Sequence, residues 1–357
     1  MIRANYESDA GKRKQVPPEE YDTIPHMPFE EYSEKLKHCL MMKRENGILE
    51  ARLHTNGDSM QWGAPAHQGL HYFFDWAGRD PDNEVIILGG TGKDFTKGIG
   101  RLGPDGKWLP ATEFSSAPEE AWKMYEYQYY DGTNDIEGQI FDVEVPTIGV
   151  WNGAAFHTDL VLLRTCPKTT PHFSLGKHGS KCGLNFGRLL SDITLCTEDA
   201  WTTDMHFRVN MVPGDGIQIP WRELMGRKRF AYAELTGEII TARKALALGM
   251  VNEICPDVES CYKRAWEIAE LIMCTGTRVT RRITTQILRK PWKEDIANEV
   301  RHSFSTEMYV TATEHSPHTV NFWHWAHEEA ELVRKAEKKG KVIRPRINGG
   351  QEEDEIK

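Results

Sequence analysis

The chain has 357 residues, 39% of them hydrophobic and 27% charged, and a formal net charge of −9. That is enough chain for one sizeable core plus appendages, with the composition of an ordinary globular protein. The acidic balance, without a basic stripe interleaved with aromatics, argues against a nucleic-acid partner, and no apolar run approaches the roughly 20 residues of a membrane helix.

Residues 1–27 are Pro-rich and charged and read as a flexible leader, and residues 1–20 lack the apolar core of a signal peptide. Apolar spacing predicts a short helix over 28–42, a strand over 48–53, a helix over 62–76 that carries His67, and a buried strand over 84–90. After Gly89-Gly90-Thr91-Gly92 the sequence reads as a loop with Gly and Pro to about Ala117, then a helix through Tyr130. Residues 143–150 form another buried strand ending at Trp151-Asn152-Gly153. A stretch rich in Gly, Ser, Thr, Lys and Cys, about 164–190, interrupts the pattern before strand character resumes over 191–196. Residues 235–254 are a turn-helix-strand unit, 261–273 an amphipathic helix, and further helices run to about Lys338. The charge-rich tail, 339–357, is expected to be disordered. Strands alternating with helices imply an α/β fold with mainly parallel pairing.

The seven cysteines are scattered, with no Cys-x-x-Cys pair. Cys166 and Cys182 could bridge in principle, but the usage is that of reduced thiols in a cytoplasmic protein. The chain ends Asp354-Glu355-Ile356-Lys357, which matches no lipidation or peroxisomal ending. Its fourteen histidines form no His-Glu-x-x-His motif. His324 and His327, near Glu328 and Glu329, come nearest to a ligand cluster and read as solvent-facing, so no metal site is expected.

The segment Met205-His206-Phe207-Arg208-Val209-Asn210-Met211-Val212-Pro213-Gly214-Asp215-Gly216 separates an imidazole from a carboxylate by an apolar run and a Pro-Gly turn. Such a connection can fold back on itself. A carboxylate that accepts one ring N–H of a histidine leaves the other nitrogen to take a proton from water. Spacing alone also fits a surface histidine and a turn aspartate that never meet.

Several segments, in order, resemble the crotonase (enoyl-CoA hydratase/isomerase) superfamily. Val85 to Gly92 is similar to its strand leading to the first oxyanion loop, and Val145-Pro146-Thr147-Ile148-Gly149-Val150-Trp151-Asn152-Gly153 to its "P-x-I-A-x-x-N-G" strand. Ser191-Asp192-Ile193 matches the strand after its central helix. Leu235-Thr236-Gly237, Ala242-Arg243-Lys244-Ala245-Leu246 and Gly249-Met250-Val251-Asn252 match its "L-T-G … A-x-x-A … G-L-V-N" signature. The resemblance covers about residues 28–310. It implies a ββα spiral core over 28–258, with an insertion about 164–190, and a C-terminal helical trimerisation region over 259–338.

The departures point to one branch. Where the hydratases have a catalytic Glu in "P-E-x-x-x-G", this chain has Met205-His206, and their other Glu corresponds to Asp159. Their double-glycine oxyanion turn is replaced by Ala154-Ala155-Phe156-His157, and their "A-G-x-D" loop by Thr96-Lys97-Gly98-Ile99-Gly100. Hydration of a thioester needs the carboxylate pair and two backbone donors, so ordinary hydratase activity is not expected. These positions resemble instead the β-diketone hydrolases typified by 6-oxocamphor hydrolase. Trp62 and His67 fall in that branch's "W-x-x-x-A-H", His157 on its histidine after the Asn-Gly turn, and His206 and Asp215 on its His–Asp dyad. Glu307 falls on its C-terminal catalytic Glu, preceded here by Thr306 where the branch has His.

The resemblance implies a C–C bond hydrolase that cleaves a cyclic or bulky β-diketone by a reverse Claisen reaction. Asp215 would orient His206 as base, His157 would hydrogen-bond the second carbonyl and reprotonate the enolate, and Glu307 would position water or tune a histidine. His67 reads equally as substrate contact or as a structural histidine; Trp62, and with it Phe156, as pocket wall or as core. No metal or organic cofactor is required, because the dicarbonyl leaves as a resonance-stabilised enolate. Relatives assemble as trimers or dimers of trimers, so self-association is expected, with no nucleic-acid or membrane partner. Removing residues 164–190 restores the branch's spacing, and the insertion reads as a surface excursion, a subunit contact or a translated remnant of an unspliced intron. Two alternatives stand beside the hydrolase: a CoA-thioester hydratase or isomerase relying on Asp159, and a non-catalytic scaffold.

Overall fold

A computed structural model describes residues 26–62, 64–102, 108–110, 142–156, 191–204, 206–214, 216–313, 322–343 and 353–355. Helix α1 (Phe29–Leu36) leads into strand β1 (Leu40–Glu45), which pairs antiparallel with β2 (Ile48–Leu53). The turn between them is Asn46-Gly47, with φ of 50° and 81°, the two-residue hairpin turn that Asn-Gly adopts at low cost. It corrects the helix expected over 28–42. Met41 and Met42 lie in β1 opposite Arg52 and Ala51, because the hairpin register overrides the local helical spacing.

β3 (Met60–Trp62) precedes α2 (Ala64–Arg79), followed by β4 (Val85–Gly90), β5 (Thr96–Leu102), β6 (Trp108–Pro110), β7 (Thr147–Trp151) and β8 (Ala154–Phe156). Beyond them come β9 (Ile193–Thr197), β10 (Trp201–Thr203), α3 (Gln218–Met225), α4 (Arg227–Thr236), β11 (Ile240–Thr241), α5 (Ala242–Ala247) and β12 (Glu253–Cys255). The chain closes with α6 (Val258–Thr275), α7 (Arg278–Thr313), α8 (Phe322–Lys338) and the antiparallel pair β13 (Lys341–Ile343) and β14 (Glu353–Glu355). That last pair corrects the expectation of disorder for those six tail positions.

The spine is a six-stranded sheet in the order β1-β2-β4-β7-β9-β12, parallel except for the β1–β2 hairpin. β4 is buried at every residue, as a central parallel strand covered on both faces must be. Its alternation sorts the side chains. Val85 and Ile87 join Val150 and Leu195 in packing on Tyr262, Ala265 and Ala269 of α6, whereas Ile86 and Leu88 join Leu49 in packing on Leu70, Phe73 and Ala77 of α2. α6 starts where Asp257 accepts a hydrogen bond from the Ser260 amide at 2.7 Å, an N-cap that sequence propensity favours.

Two smaller sheets flank the spine: β11-β10-β8, with β8 and β10 parallel, and β3-β5-β6, with β3 and β5 parallel. The loop expected over 92–117 therefore contains β5 and β6. Gly98 and Gly100 weaken any local strand signal there, and the pairing with β3 comes from a distant part of the chain. Trp62, read as the start of a helix, is the last residue of β3; the helix begins after it, with Pro65 in its first turn where a missing N–H costs nothing. Among the described residues no helix is long and apolar enough to cross a membrane.

Helix α7 runs 36 residues with Pro291 inside it. Its Arg289 is buried to 2% and bonds both oxygens of Asp192, at 3.0 Å and 2.6 Å, and Thr147 Oγ1 at 2.9 Å. The same guanidinium donates to the carbonyls of Val143 and Val145. Asp192 Oδ2 in turn accepts from the Thr147 amide at 2.7 Å. One cation thus fastens the helix to the entry of β7 and β9.

Candidate active site

The chain leaves β10 at Thr203 and meets Asp204, whose Oδ1 accepts from the backbone N–H of His206 at 2.9 Å. This is an Asx turn, the local bond a short carboxylate makes to the amide two residues on. It starts the single 3-10 turn Phe207–Val209. The same Oδ1 lies 2.6 Å from His206 Nδ1. A carboxylate can only accept, so Nδ1 carries the proton and Nε2 presents its lone pair in the neutral ring. Both side chains are fully buried, where an ionised carboxylate is tolerated only if it is hydrogen-bonded.

After the 3-10 turn, Asn210 adopts a left-handed φ of 57°, and the Met211 amide closes back on the His206 carbonyl at 2.8 Å. The chain then runs through Pro213-Gly214 onto α7. Ser303 Oγ donates to the Gly214 carbonyl at 2.7 Å and accepts from Gln218 Nε2 at 2.9 Å. A Cβ on Gly214 would stand 2.2 Å from the Ser303 carbonyl oxygen and 2.5 Å from Glu307 Cβ, so only glycine permits this approach. Glu307 is fully buried one turn after Ser303. The loop that follows His206 is thereby stitched to the helix that carries Glu307.

A second knot holds the Asn152-Gly153 turn. Asn152 Nδ2 donates to the Gly92 carbonyl at 3.1 Å, the Gly153 amide to Thr197 Oγ1 at 3.0 Å, and the Ala154 amide to Asp94 Oδ1 at 2.9 Å. The Gly-rich segment after β4 and the Asn-Gly turn after β7 are two sides of one contact, which gives a physical reason for their joint occurrence. Phe156, immediately before His157 in sequence, pairs with Thr203, immediately before Asp204. Parallel strands β8 and β10 thus end side by side, and carboxyl ends of parallel strands are where ligands of α/β folds bind.

Of the residues expected from sequence, His206 and Glu307 are buried and joined through the Gly214 loop. His157, Asp215 and Asp159 lie outside the described residues, as does the insertion 164–190. Trp62 ends β3, His67 sits in α2 and Phe156 ends β8, and their side chains lie outside what is described. Sequence reading missed Asp204. Its signal was an Asp two residues before a His at a strand end, the spacing of an Asx turn.

Other histidines and cysteines of the fold make structural contacts. His54 accepts from the Gly57 amide at Nδ1 (3.0 Å) and donates from Nε2 to the Lys37 carbonyl (3.1 Å), and burial holds its pKa below that of an ordinary imidazole. Burial pushes the Cys39 thiol up to about 12 and raises Cys255 and Cys261 as well, so these are inert core thiols rather than nucleophiles. His327 is exposed and sets its ring edge-on to Trp201 at 5.1 Å. Among the described residues, no group of three or more His, Cys, Asp or Glu is placed to hold a metal ion.

The chain is similar to the solved structure of a β-diketone hydrolase from the cyanobacterium Anabaena, bound to (S)-3-oxocyclohexyl acetic acid. The two are 28% identical with a TM-score of 0.62, over 80% of this chain and 97% of that one. The chain thus shares the fold of crotonase-superfamily enzymes. Other crotonase-superfamily structures share the fold, among them an enoyl-CoA hydratase/isomerase from Mycobacterium paratuberculosis (19% identity, TM-score 0.58, 82% of this chain and 98% of that one). An Arabidopsis thaliana protein described as "Probable enoyl-CoA hydratase 1, peroxisomal" is 24% identical over 208 residues, 58% of this chain. The match spans 62% of that relative's length. No protein-family model matches the chain. The Asn152-Gly153 knot lies at the start of β8, and β10, parallel to it, runs on into the Asp204–His206 turn.

Proposed function

We propose that this crotonase-fold chain is a hydrolase that cleaves a carbon–carbon bond of a cyclic β-diketone. The observation that carries the reading is the buried His206, held by a carboxylate, where a hydratase would need a glutamate. In this reading Nε2 of His206 takes a proton from water as the water oxygen adds to one carbonyl carbon. The tetrahedral intermediate then collapses by breaking the bond to the carbon between the carbonyls, which departs as an enolate and is protonated by His157. The product is a keto acid, the class to which the ligand of the Anabaena enzyme belongs. Asp215 and Glu307 supply the remaining charge, and Trp62, Phe156 and His67 the walls and contacts of the pocket. The residues require neither metal nor organic cofactor for this route.

The test is loss of the ultraviolet diketone band across a panel of cyclic 1,3-diketones, with crotonyl-CoA as control. Diketone loss with keto-acid formation and an inert thioester is the expected result. Turnover of the thioester alone would overturn it in favour of the hydratase reading, which the Arabidopsis relative supports and which would route catalysis through Asp159.

Self-association belongs to the same proposal. Val279, Ile283 and Ile287 follow one another at four-residue spacing on α7, and all are more than half exposed, with Leu288 beside them. Such a stripe is more apolar than a helix facing only water should be. A second copy of the chain is its expected partner. Ile283→Glu with Ile287→Glu should lower the assembly state in sedimentation velocity while leaving the fold intact by circular dichroism; unchanged sedimentation would remove the stripe from the interface.

A further inference from the structure

We propose that Arg208 and Glu329 are positioning residues, an ion pair through which helix α8 holds the turn that follows His206. Arg208 lies in the 3-10 turn Phe207–Val209, whose N-cap is His206 itself, and Glu329 lies in α8. The guanidinium meets the carboxylate with two bonds, Nη1 to Oε2 at 2.8 Å and Nη2 to Oε1 at 3.2 Å. This fork joins segments 121 residues apart. The stem of Arg208 has a seat shaped for it. A Cβ on Gly237 would stand 2.3 Å from Arg208 Cδ, so the arginine crosses the end of α4 only because a glycine is there. Gly237 also takes the left-handed φ of 62° that ends α4, and its carbonyl accepts from Thr203 Oγ1 at 3.2 Å. The end of β10, the turn after it and the end of α4 therefore meet at one side chain.

Helix α8 is itself firmly placed. Its Ala326, Ala330 and Val333 pack with Ala154 of β8, Trp201 of β10, Ile239 and Met211, and its Glu337 accepts from Thr241 Oγ1 at 2.8 Å. Met211 is the residue whose amide closes the turn onto the His206 carbonyl. The helix thus grips the strand before His206 and the loop after it, and the ion pair ties down the turn between those grips. A partly exposed pair adds little to global stability, and these side chains are 29% and 24% exposed. Its effect falls on local opening, which the contacts of the segment itself govern. Phe207, beside Arg208, is 53% exposed, so burial of that ring does little to hold the turn. A two-bond fork fixes orientation as well as distance, which is what a residue next to a reacting group needs.

The test is hydrogen–deuterium exchange of segment 206–212 in the full chain, with turnover measured beside it. The turnover arm rests on the diketone-hydrolase reading; the exchange arm does not. Arg208→Gln and Glu329→Gln should each speed exchange of the segment roughly tenfold, and the double variant no further, while the urea midpoint stays at the wild-type value. Arg208→Lys keeps the stem over Gly237 and the charge, and should recover most of the protection. Added sodium chloride should quicken exchange in wild type but not in Glu329→Gln, because a partly exposed pair is screened. In both glutamine variants kcat should fall roughly three- to tenfold with KM within about twofold of wild type. Single variants that exchange like wild type, or whose effects add in the double variant, would overturn the proposal. So would faster exchange with unchanged kcat in a chain that turns over diketone. The salt series on wild type needs no substitution, and exchange that is flat in salt would overturn the proposal even if no variant folds. If wild type consumes no diketone, the proposed reaction fails while exchange still decides whether the pair holds the turn.

Discussion

His206→Ala is expected to abolish measurable diketone hydrolysis, lowering kcat by about 10²–10⁴-fold, the range a general base contributes. His54 cannot take its place, since it spends both ring nitrogens on backbone partners, and His327 lies against Trp201 at the surface. The alanine variant also leaves the Asp204 carboxylate buried without its ring partner, which costs stability as well as rate. His206→Gln separates the two effects, since its amide can still donate towards Asp204 but cannot act as a base. Kinetics on the diketone panel, with a thermal melt of each variant, check this. Both variants should be inactive, with the glutamine protein the more stable. A folded His206→Gln protein that retains wild-type kcat would remove the imidazole from the chemistry.

Arg289→Ala should destabilise the fold by about 3–5 kcal/mol, the cost of stranding one member of a buried pair. Arg289 is 2% exposed and its guanidinium bonds Asp192, Thr147 and two carbonyls, so alanine removes five hydrogen bonds at once and leaves Asp192 without its cation. Urea denaturation measures the loss. Adding Asp192→Asn should recover part of it, because the uncompensated charge is then gone, and the shortfall from additivity reports the coupling of the pair. Melting midpoints that agree within error for Arg289→Ala and wild type would mean that water reaches the carboxylate.

The legible parts of this chain were those where local chemistry and burial agree. β4 and β7 are buried runs because both faces of the sheet are covered, and the amphipathic spacing over 261–273 shows in α6. The crotonase motifs could be read in order because each pins the next, as Asn152 does when it reaches the Gly92 carbonyl. Hidden elements were those made by distant partners. β3 is only three residues long and β5 is interrupted by Gly98 and Gly100, and they become strands by pairing with each other and, for β5, with β6. The site divided in the same way. His206 and Glu307 stood out by position, but their connection runs through Ser303 and Gly214, a contact between segments 89 residues apart. Asp204 carries only the Asp-x-His spacing of an Asx turn, a fainter sequence signal than a His and an Asp flanking a Pro-Gly turn.

Helix α7 makes remote events mechanically continuous. Ile283, on the stripe a second copy would cover, and Glu307, buried beside Gly214, ride one rod and stand roughly 36 Å apart along it. Between them Arg289 clamps the rod to the sheet, and Pro291, which brings no N–H to the ladder, marks where it bends most easily. A grip at the outer end would narrow the excursions of the inner carboxylate. Reciprocity then follows: whatever steadies Glu307, a bound substrate included, would tighten the meeting of two copies by the same factor. Abundance of the chain would thereby become one of the controls on its own chemistry.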